Sequence, residues 1–146
     1  MTQQVPSVAA TALRNFSNTP EKSRAHVLVV DDERLVRWAV AETLGARGYD
    51  VSEAGDAQSA LAALRVLGRS TDLVLLDLFL PDACDLGVLN FIRTCAPAIP
   101  VIMMTAFATR DIIEQALSLG ALVMTKPFDM NELAAAVDRA LVTPLS

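Results

Sequence analysis

Three carboxylates, one hydroxyl and one ammonium group stand at the ends of apolar segments in this 146-residue sequence. The carboxylates are Asp31 and Asp32, which follow HVLVV, and Asp77, which ends the segment DLVLLD. Thr105 ends VIMMT, and Lys126 follows LVMT. Carboxylates gathered in one place repel and shift each other's pKa values, so this group calls for a cation. Hard oxygen ligands of this kind suit Mg²⁺, which commonly bridges to a phosphoryl group.

The same groups meet the requirements of phosphoryl transfer to a carboxylate nucleophile. Lysine usage supports this interpretation, because two of the 12 basic residues are Lys, and Lys126 is the only one after Lys22. A compact ammonium on a flexible stem approaches a single carboxylate or phosphoryl oxygen where a planar guanidinium would not fit in the same way.

Apolar runs alternate with amphipathic stretches from His26 onwards, a pattern typical of βα units. The runs are HVLVV, YDVSEA, DLVLLDL, PVIMM and LVMT, and the predicted helices are Arg34–Ala46, Ala57–Leu67, Leu86–Cys95, Arg110–Leu119 and Asn131–Val142. The first, third and fourth runs are continuously apolar, which indicates strands buried on both faces and hence a parallel sheet covered by helices. Five such units predict an α/β fold with a doubly wound parallel sheet.

Spacing predicts the buried face of the first helix and leaves two alternatives open for the last. In the first, one buried stripe is predicted from the i, i+3, i+4 positions Leu35, Val36, Ala39, Val40, Thr43 and Leu44. We expect Trp38, on the same helix, to be partly buried. In the last, Ala134-Ala135-Ala136 allows close packing against a partner or forms inward-facing core.

The chemical groups fall where a parallel sheet binds ligands, beyond the carboxyl ends of its strands. The second strand leaves only Glu53-Ala54-Gly55 there. Taken singly, the other strand ends have simpler explanations: an aspartate often caps a helix, a threonine is often a plain strand former, and a lysine is often a solvated charge. Their convergence on one edge favours a functional site.

The charge distribution separates a basic beginning from an acidic body. Residues 1–24 carry three basic residues and one acidic residue, so the remainder holds 9 basic and 16 acidic residues, a net charge of −7. An acidic body argues against nucleic-acid binding. No run approaches the ~20 apolar residues of a membrane span, and two Cys suit a reducing cytoplasm. We expect a flexible tail at 1–24, one domain at 25–142 and a short C-terminal end at 143–146.

Four motifs in order, VLVVDDE, LVLLDLFLP, VIMMTA and TKPF, resemble the receiver domain of bacterial two-component response regulators. The resemblance covers about residues 25–142, and DDERLVRW with the MTAF segment is most similar to receivers of the nitrogen-regulator type. It implies a flavodoxin-like sheet with strand order 2-1-3-4-5 and five helices. It also implies a cytoplasmic signalling protein rather than a conventional enzyme.

The resemblance assigns the phosphoacceptor and its metal. Asp77 would take a phosphoryl group from a phosphohistidine of a sensor histidine kinase or phosphotransfer protein. Asp32, Asp77 and the backbone carbonyl of Phe79 would bind Mg²⁺, and Asp31 would act directly or through water.

The switch residues are implied in the same way. Thr105 would hydrogen-bond a phosphoryl oxygen, and Lys126 would pair with Asp77 and then with the phosphate; the peptide before Pro127 is often cis in this family. The fourth helix, fifth strand and fifth helix form the family's usual partner or dimer face.

Several positions depart from the family pattern. Val123 stands where an aromatic residue normally reports phosphorylation, and the spacing from Gly120 to Lys126 is one residue shorter than usual. Either this is a harmless loop deletion, or signalling runs through backbone shifts of the fourth and fifth strands. Asp85 stands in place of a glycine after the phosphoacceptor, and we expect that loop to be intact.

Two phenylalanines flank the path of the water that hydrolyses the phosphate in this family: Phe79, two residues after Asp77, and Phe107, two residues after Thr105. Apolar rings cannot position water by hydrogen bonding and should partly exclude it, which predicts slow autodephosphorylation. The alternative is that the rings only pack at the rim.

Two other function classes fit the sequence less well. A phosphohydrolase of the haloacid-dehalogenase type needs an acidic residue two positions after the nucleophile, where this sequence has Phe79. A receiver-like module that has lost phosphorylation would be supported only by Val123 and the shortened loop. The sequence is compatible with a stand-alone regulator and with the receiver part of a transcriptional regulator.

Overall fold

A five-stranded parallel sheet forms the centre of the computed structural model, which describes residues 24–83 and 86–142. The strands are β1 (His26–Val30), β2 (Asp50–Ala54), β3 (Leu73–Asp77), β4 (Val101–Thr105) and β5 (Leu122–Thr125). The helices are α1 (Arg34–Ala46), α2 (Ala57–Leu67), α3 (Gly87–Cys95), α4 (Arg110–Ser118) and α5 (Met130–Val142), with a 3₁₀ turn at Gly68–Ser70. The strand order is β2-β1-β3-β4-β5, which confirms the predicted fold class and topology. The predictions for the tail before residue 24, for Asp85 and for 143–146 lie outside the described residues.

Alternation along the strands divides the core between the two faces of the sheet. On one face, Val27 and Val29 of β1 pack in a cluster with residues of α1 and α5. On the other, Leu28 and Val30 pack in a cluster with residues of α2, α3 and α4. The strands β3 and β4 are buried along their whole length, as their continuous apolar sequences predict. No helix within the described ranges is long and apolar enough to cross a membrane.

Two expectations about α1 are wrong, and one alternative about α5 is settled. Leu35 is 79% exposed and Trp38 is 59% exposed, because the buried stripe of α1 is narrower than predicted and centres on Val40 and Leu44. Leu35 lies in the first turn, and Trp38 lies off the stripe at helical spacing. Within the alanine run of α5, Ala134 and Ala136 are buried in the core.

The register of the sheet aligns the ends of its strands. Val30 of β1 pairs with Leu76 of β3, so the residues that follow them, Asp31 and Asp77, come side by side. These two strands are adjacent although they are not consecutive in sequence, which makes their ends the topological switch point of the sheet. At the same edge of the sheet, the last residues of β4 and β5 pair, which brings Thr105 beside Thr125.

The loop after β3 is anchored to the start of α2 by Asp82. One carboxylate oxygen of Asp82 accepts the Ala57 N–H at 2.7 Å, and the other accepts the Gln58 N–H at 3.0 Å. Asp56, the N-cap residue, accepts the Ser59 N–H, so two carboxylates satisfy N–H groups that the helix cannot bond internally.

We expect the substitution Asp82→Ala to lower the free energy of unfolding by about 1 kcal/mol, the usual effect of removing a helix-capping side chain. Urea denaturation followed by circular dichroism measures it. Glu114→Ala, at an exposed position of α4, is the control and should change the value by less than about 0.5 kcal/mol. Equal effects of the two substitutions would contradict the anchoring role.

Candidate functional site

Four of the five predicted groups are buried or partly buried at the carboxyl edge of the sheet. Asp31 is fully buried, Asp77 is 6% exposed and Thr105 is 3% exposed. Lys126 is partly buried, and Asp32 is exposed at the rim. The site lies at the switch point because Asp31 follows β1 and Asp77 ends β3.

The three aspartates form an acidic cluster. One carboxylate oxygen each from Asp31, Asp32 and Asp77 lies within 4.8 Å of the others. Two of these carboxylates are buried, where like charges repel strongly. Three hard oxygen donors at this spacing fit a divalent cation such as Mg²⁺, and the exposed position of Asp32 leaves the cluster accessible from solvent.

Lys126 supplies the positive charge inside the cluster. Its Nζ lies 2.8 Å from Asp31 Oδ2, 3.5 Å from Asp77 Oδ2 and 3.6 Å from Glu33 Oε1. Its backbone N–H donates to the Thr105 carbonyl at 2.7 Å, and the peptide bond to Pro127 is cis. The shorter ammonium contact is therefore with Asp31, whereas the family resemblance implies a pair with Asp77.

Burial and charge shift the titration of two groups in the cluster. Burial, followed by repulsion from Asp31, raises the pKa of Asp77 to about 6, although Lys126 and the Phe79 N–H oppose the rise. Burial alone lowers the pKa of Lys126, but the hydrogen bond and attraction of Asp31, with the charges of Asp77 and Glu33, raise it above its ordinary value. Lys126 thus stays protonated, and the Asp77 carboxylate takes up a proton at a higher pH than an ordinary aspartate.

Each buried aspartate also holds its own loop. Asp31 Oδ1 accepts the Glu33 N–H at 2.9 Å, and Asp77 Oδ1 accepts the Phe79 N–H at 3.2 Å. These side chain to backbone bonds are turns in which an aspartate bonds the N–H two residues later. In both residues the other oxygen, Oδ2, faces Lys126.

The Thr105 hydroxyl is engaged with its own loop. Thr105 Oγ1 accepts the Phe107 N–H at 3.2 Å and donates to the Phe107 carbonyl at 3.1 Å. This closes a tight turn between β4 and α4. A ligand oxygen that takes the hydroxyl proton would have to replace the bond to the Phe107 carbonyl, because a hydroxyl has one proton to donate.

The two phenylalanines lie at the rim of the site. Phe79 is 51% exposed and Phe107 is 78% exposed, and both line a groove of about 700 Å³ together with Thr105 and Thr125. Val123, at the position where the family has an aromatic residue, is partly buried against the core beneath α2, α3 and α4.

Sequence reasoning missed Arg37, which reaches the site from α1. Its Nη1 donates to the backbone carbonyl of Asp31 at 2.6 Å, and its Nε lies 3.4 Å from Glu53 Oε1. The only available signal was Gly55 after β2, because a side chain there would crowd the guanidinium. Asp82 was also missed as an anchor of the loop that follows Asp77.

Comparison with known proteins agrees with this geometry. The sequence model of the response regulator receiver domain family matches residues 27–138. Sporulation initiation phosphotransferase F of Bacillus subtilis is 34% identical over 116 residues, which cover 79% of this chain and 92% of that protein. The transcriptional regulatory protein PdtaR of Mycobacterium tuberculosis is 35% identical over 117 residues, which cover 79% of this chain.

The chain spans 56% of the length of PdtaR, so it corresponds to about half of that relative. Among solved structures, the receiver domain of NtrX from Brucella abortus superposes with a TM-score of 0.73 at 36% identity. That match covers 81% of this chain and 99% of the NtrX domain. Fold and sequence thus point to one family.

We expect Asp77→Asn to stabilise the metal-free protein, with an effect that depends on pH. The pKa of Asp77 lies above its ordinary value of 3.8, so the folded state binds the proton more tightly than the unfolded chain. Ionisation therefore destabilises the folded protein; the penalty is absent below about pH 4 and complete above about pH 6. Asparagine removes it, so we expect a gain of about 1–2 kcal/mol at pH 8 that shrinks towards pH 4.

Urea denaturation in EDTA at pH 8 and pH 4.5 measures this difference. Glu114→Gln, at an exposed site on α4, is the control and should show no such dependence. If Asp77→Asn raises the free energy of unfolding equally at both pH values, the destabilisation does not come from the ionised Asp77 carboxylate.

Proposed function

The chain belongs to the receiver domain family of two-component response regulators, and from this premise we propose that it accepts a phosphoryl group on Asp77 in a Mg²⁺-dependent reaction. One observation carries the proposal: one oxygen from each of three carboxylates lies within 4.8 Å of the others, beside an ammonium 2.8 Å from Asp31 and 3.5 Å from Asp77. Asp77 is buried at the end of its strand, and Leu78 and Phe79, which follow it, line a groove.

The reaction follows from the chemistry of these groups. An ionised oxygen of Asp77 attacks the phosphorus of a phosphohistidine; the new P–O bond forms as the P–N bond breaks, and the imidazole leaves. A pKa of about 6 keeps most of the Asp77 carboxylate ionised at neutral pH. Lys126, held protonated, offsets the negative charge that the phosphoryl group brings.

The residues that would hold Mg²⁺ are Asp31, Asp32 and Asp77, whose carboxylate oxygens lie together. The backbone carbonyl of Phe79 would join them, as the family resemblance implies. When bound, the ion supplies charge neutralisation for the phosphoryl oxygens. The donor set supports this choice, since carboxylate and carbonyl oxygens are preferred by Mg²⁺ over softer metals. Phe79 has no acidic group, so the chain lacks the residue that a phosphohydrolase with an Asp nucleophile would use at that position.

Thr105 and the elements after it would carry the signal. The Thr105 hydroxyl would donate to a phosphoryl oxygen and release the Phe107 carbonyl, which it bonds at 3.1 Å. The face formed by α4, β5 and α5 would then respond and contact a partner or a second copy. With Val123 in place of an aromatic residue, this response would run through the backbone of β4 and β5.

The partner that this function requires is a sensor histidine kinase or a phosphotransfer protein in the cytoplasm. Phosphotransfer is named in the relative sporulation initiation phosphotransferase F, which is similar over 92% of its length. The partial coverage of PdtaR supports a second arrangement, in which the chain is the receiver part of a transcriptional regulator. In either case the acidic body argues against direct nucleic-acid binding by this chain.

We expect acetyl phosphate with Mg²⁺ to phosphorylate the wild-type protein and EDTA to prevent it. Asp77→Asn should abolish the modification, because the nucleophile is lost. Phosphate-affinity gels and peptide mass spectrometry measure the product and its position. Asp50→Asn, at the opposite end of the sheet, is the matched control and should retain it. Modification of Asp77→Asn at the wild-type level would overturn the proposal.

We expect Phe79→Asn to shorten the lifetime of the phosphorylated protein several-fold. Phe79 is 51% exposed at the rim, and an amide side chain there can hold an attacking water by hydrogen bonding, which the phenyl ring cannot. The decay of purified phosphoprotein after removal of acetyl phosphate measures the lifetime. Val66→Asn, an exposed apolar position on α2, is the control. An unchanged lifetime in Phe79→Asn would mean that the ring only packs at the rim.

A further inference from the structure

A second cation, Arg37, approaches the acidic cluster without touching its carboxylates. Its side chain is 17% exposed and crosses from α1 to the ends of β1 and β2. There its Nη1 donates to the Asp31 backbone carbonyl at 2.6 Å, and its Nε pairs with Glu53 at 3.4 Å. A bond from a charged donor to a backbone carbonyl is stronger than one between neutral groups. Arg37 therefore holds the backbone at Asp31 and not a carboxylate side chain of the cluster.

The main chain that Arg37 fixes is the chain that carries Asp32. The carbonyl that Arg37 binds belongs to the Asp31–Asp32 peptide, and the next peptide donates its N–H from Glu33 to Asp31 Oδ1 at 2.9 Å. The Asp31 N–H donates to Ala54 of β2 at 3.0 Å. Both peptides that flank Asp32 are thus held, whereas its own carboxylate is exposed at the rim.

Gly55 lies directly against the Arg37 guanidinium. A Cβ built on Gly55 would lie 3.0 Å from Arg37 Nη1 and 3.5 Å from its Cζ. The first of these contacts is tighter than an ordinary van der Waals contact, so an alanine at position 55 would push the guanidinium by a few tenths of an ångström. The residues at the end of β2 are not among the carboxylates of the acidic cluster, and Gly55, which follows the strand, leaves room for the Arg37 guanidinium.

We propose that Arg37 is a positioning residue for the Mg²⁺ site, which holds the Asp31–Asp32 peptide so that the Asp32 carboxylate faces the cation. This inference rests on the proposed function of the acidic cluster. Partners that orient metal ligands typically change metal affinity 10–100-fold when they are removed. The position of the Asp32 carboxylate is set by the two peptides that flank it. Loss of Arg37 should therefore weaken Mg²⁺ binding.

Electrostatics alone predicts the opposite result, which makes the proposal testable. Removal of a cation near a cation site should tighten Mg²⁺ binding, because a like charge is lost. Arg34→Gln removes the same charge from an exposed position of the same helix and reports this effect alone. Arg37→Gln should instead weaken binding about 10-fold. Gly55→Ala keeps every charge, crowds the guanidinium and should weaken binding in the same direction.

Titration of the wild type and the three variants with Mg²⁺, followed by NMR of backbone amides, tests this. The expected pattern is weaker binding in Arg37→Gln and Gly55→Ala, unchanged or tighter binding in Arg34→Gln, and folded spectra throughout. If Arg37→Gln binds Mg²⁺ as tightly as Arg34→Gln or more so, or if Gly55→Ala binds like wild type, the positioning role is overturned while the proposed function stands. A wild type that does not bind Mg²⁺ would overturn both.

Discussion

The proximity of two buried carboxylates, Asp31 and Asp77, constrains the rest of the structure. They stand at the carboxyl ends of neighbouring central strands, where the parallel register brings them side by side. An unpaired buried carboxylate is strongly unfavourable, and Lys126 is the cation that lies against both. Burial, followed by repulsion from Asp31, raises the pKa of Asp77. One ammonium cannot neutralise two carboxylates, so the cluster keeps an excess of negative charge. That excess is what a divalent cation would offset.

The fold was largely predictable because burial is encoded in the composition of the strands. Continuously apolar runs can only be satisfied between two helical layers, and β3 and β4 are accordingly buried throughout. Periodicity located the helices to within one residue at each end. It failed for Leu35, since spacing defines the centre of a buried stripe but not its width. The expected partial burial of Trp38 rested on residue type alone, and its ring lies off the stripe.

The site was predictable only where a side chain acts through its own chemistry. The sequence predicted four of the site residues, because strand ends converge and the groups found there fit one reaction: Asp31, Asp77, Thr105 and Lys126. Arg37 was not, because its partner is a backbone carbonyl, which every residue possesses and no motif marks. Which oxygen Lys126 approaches most closely also depends on distances of less than 1 Å, and such differences follow from packing and not from spacing.

The path from the site to the surface follows from how β4 and β5 are joined. Thr105 holds the Phe107 turn through its side chain and receives the Lys126 N–H through its carbonyl at 2.7 Å. A phosphoryl group that bonds both the Thr105 hydroxyl and the Lys126 ammonium would therefore act on two ends of one hydrogen-bonded unit. Val123 pairs with Met103 of β4 and has no polar atom with which to follow the hydroxyl. Under the proposed function, the displacement would be carried by the backbone of the two strands and by the turn at Phe107.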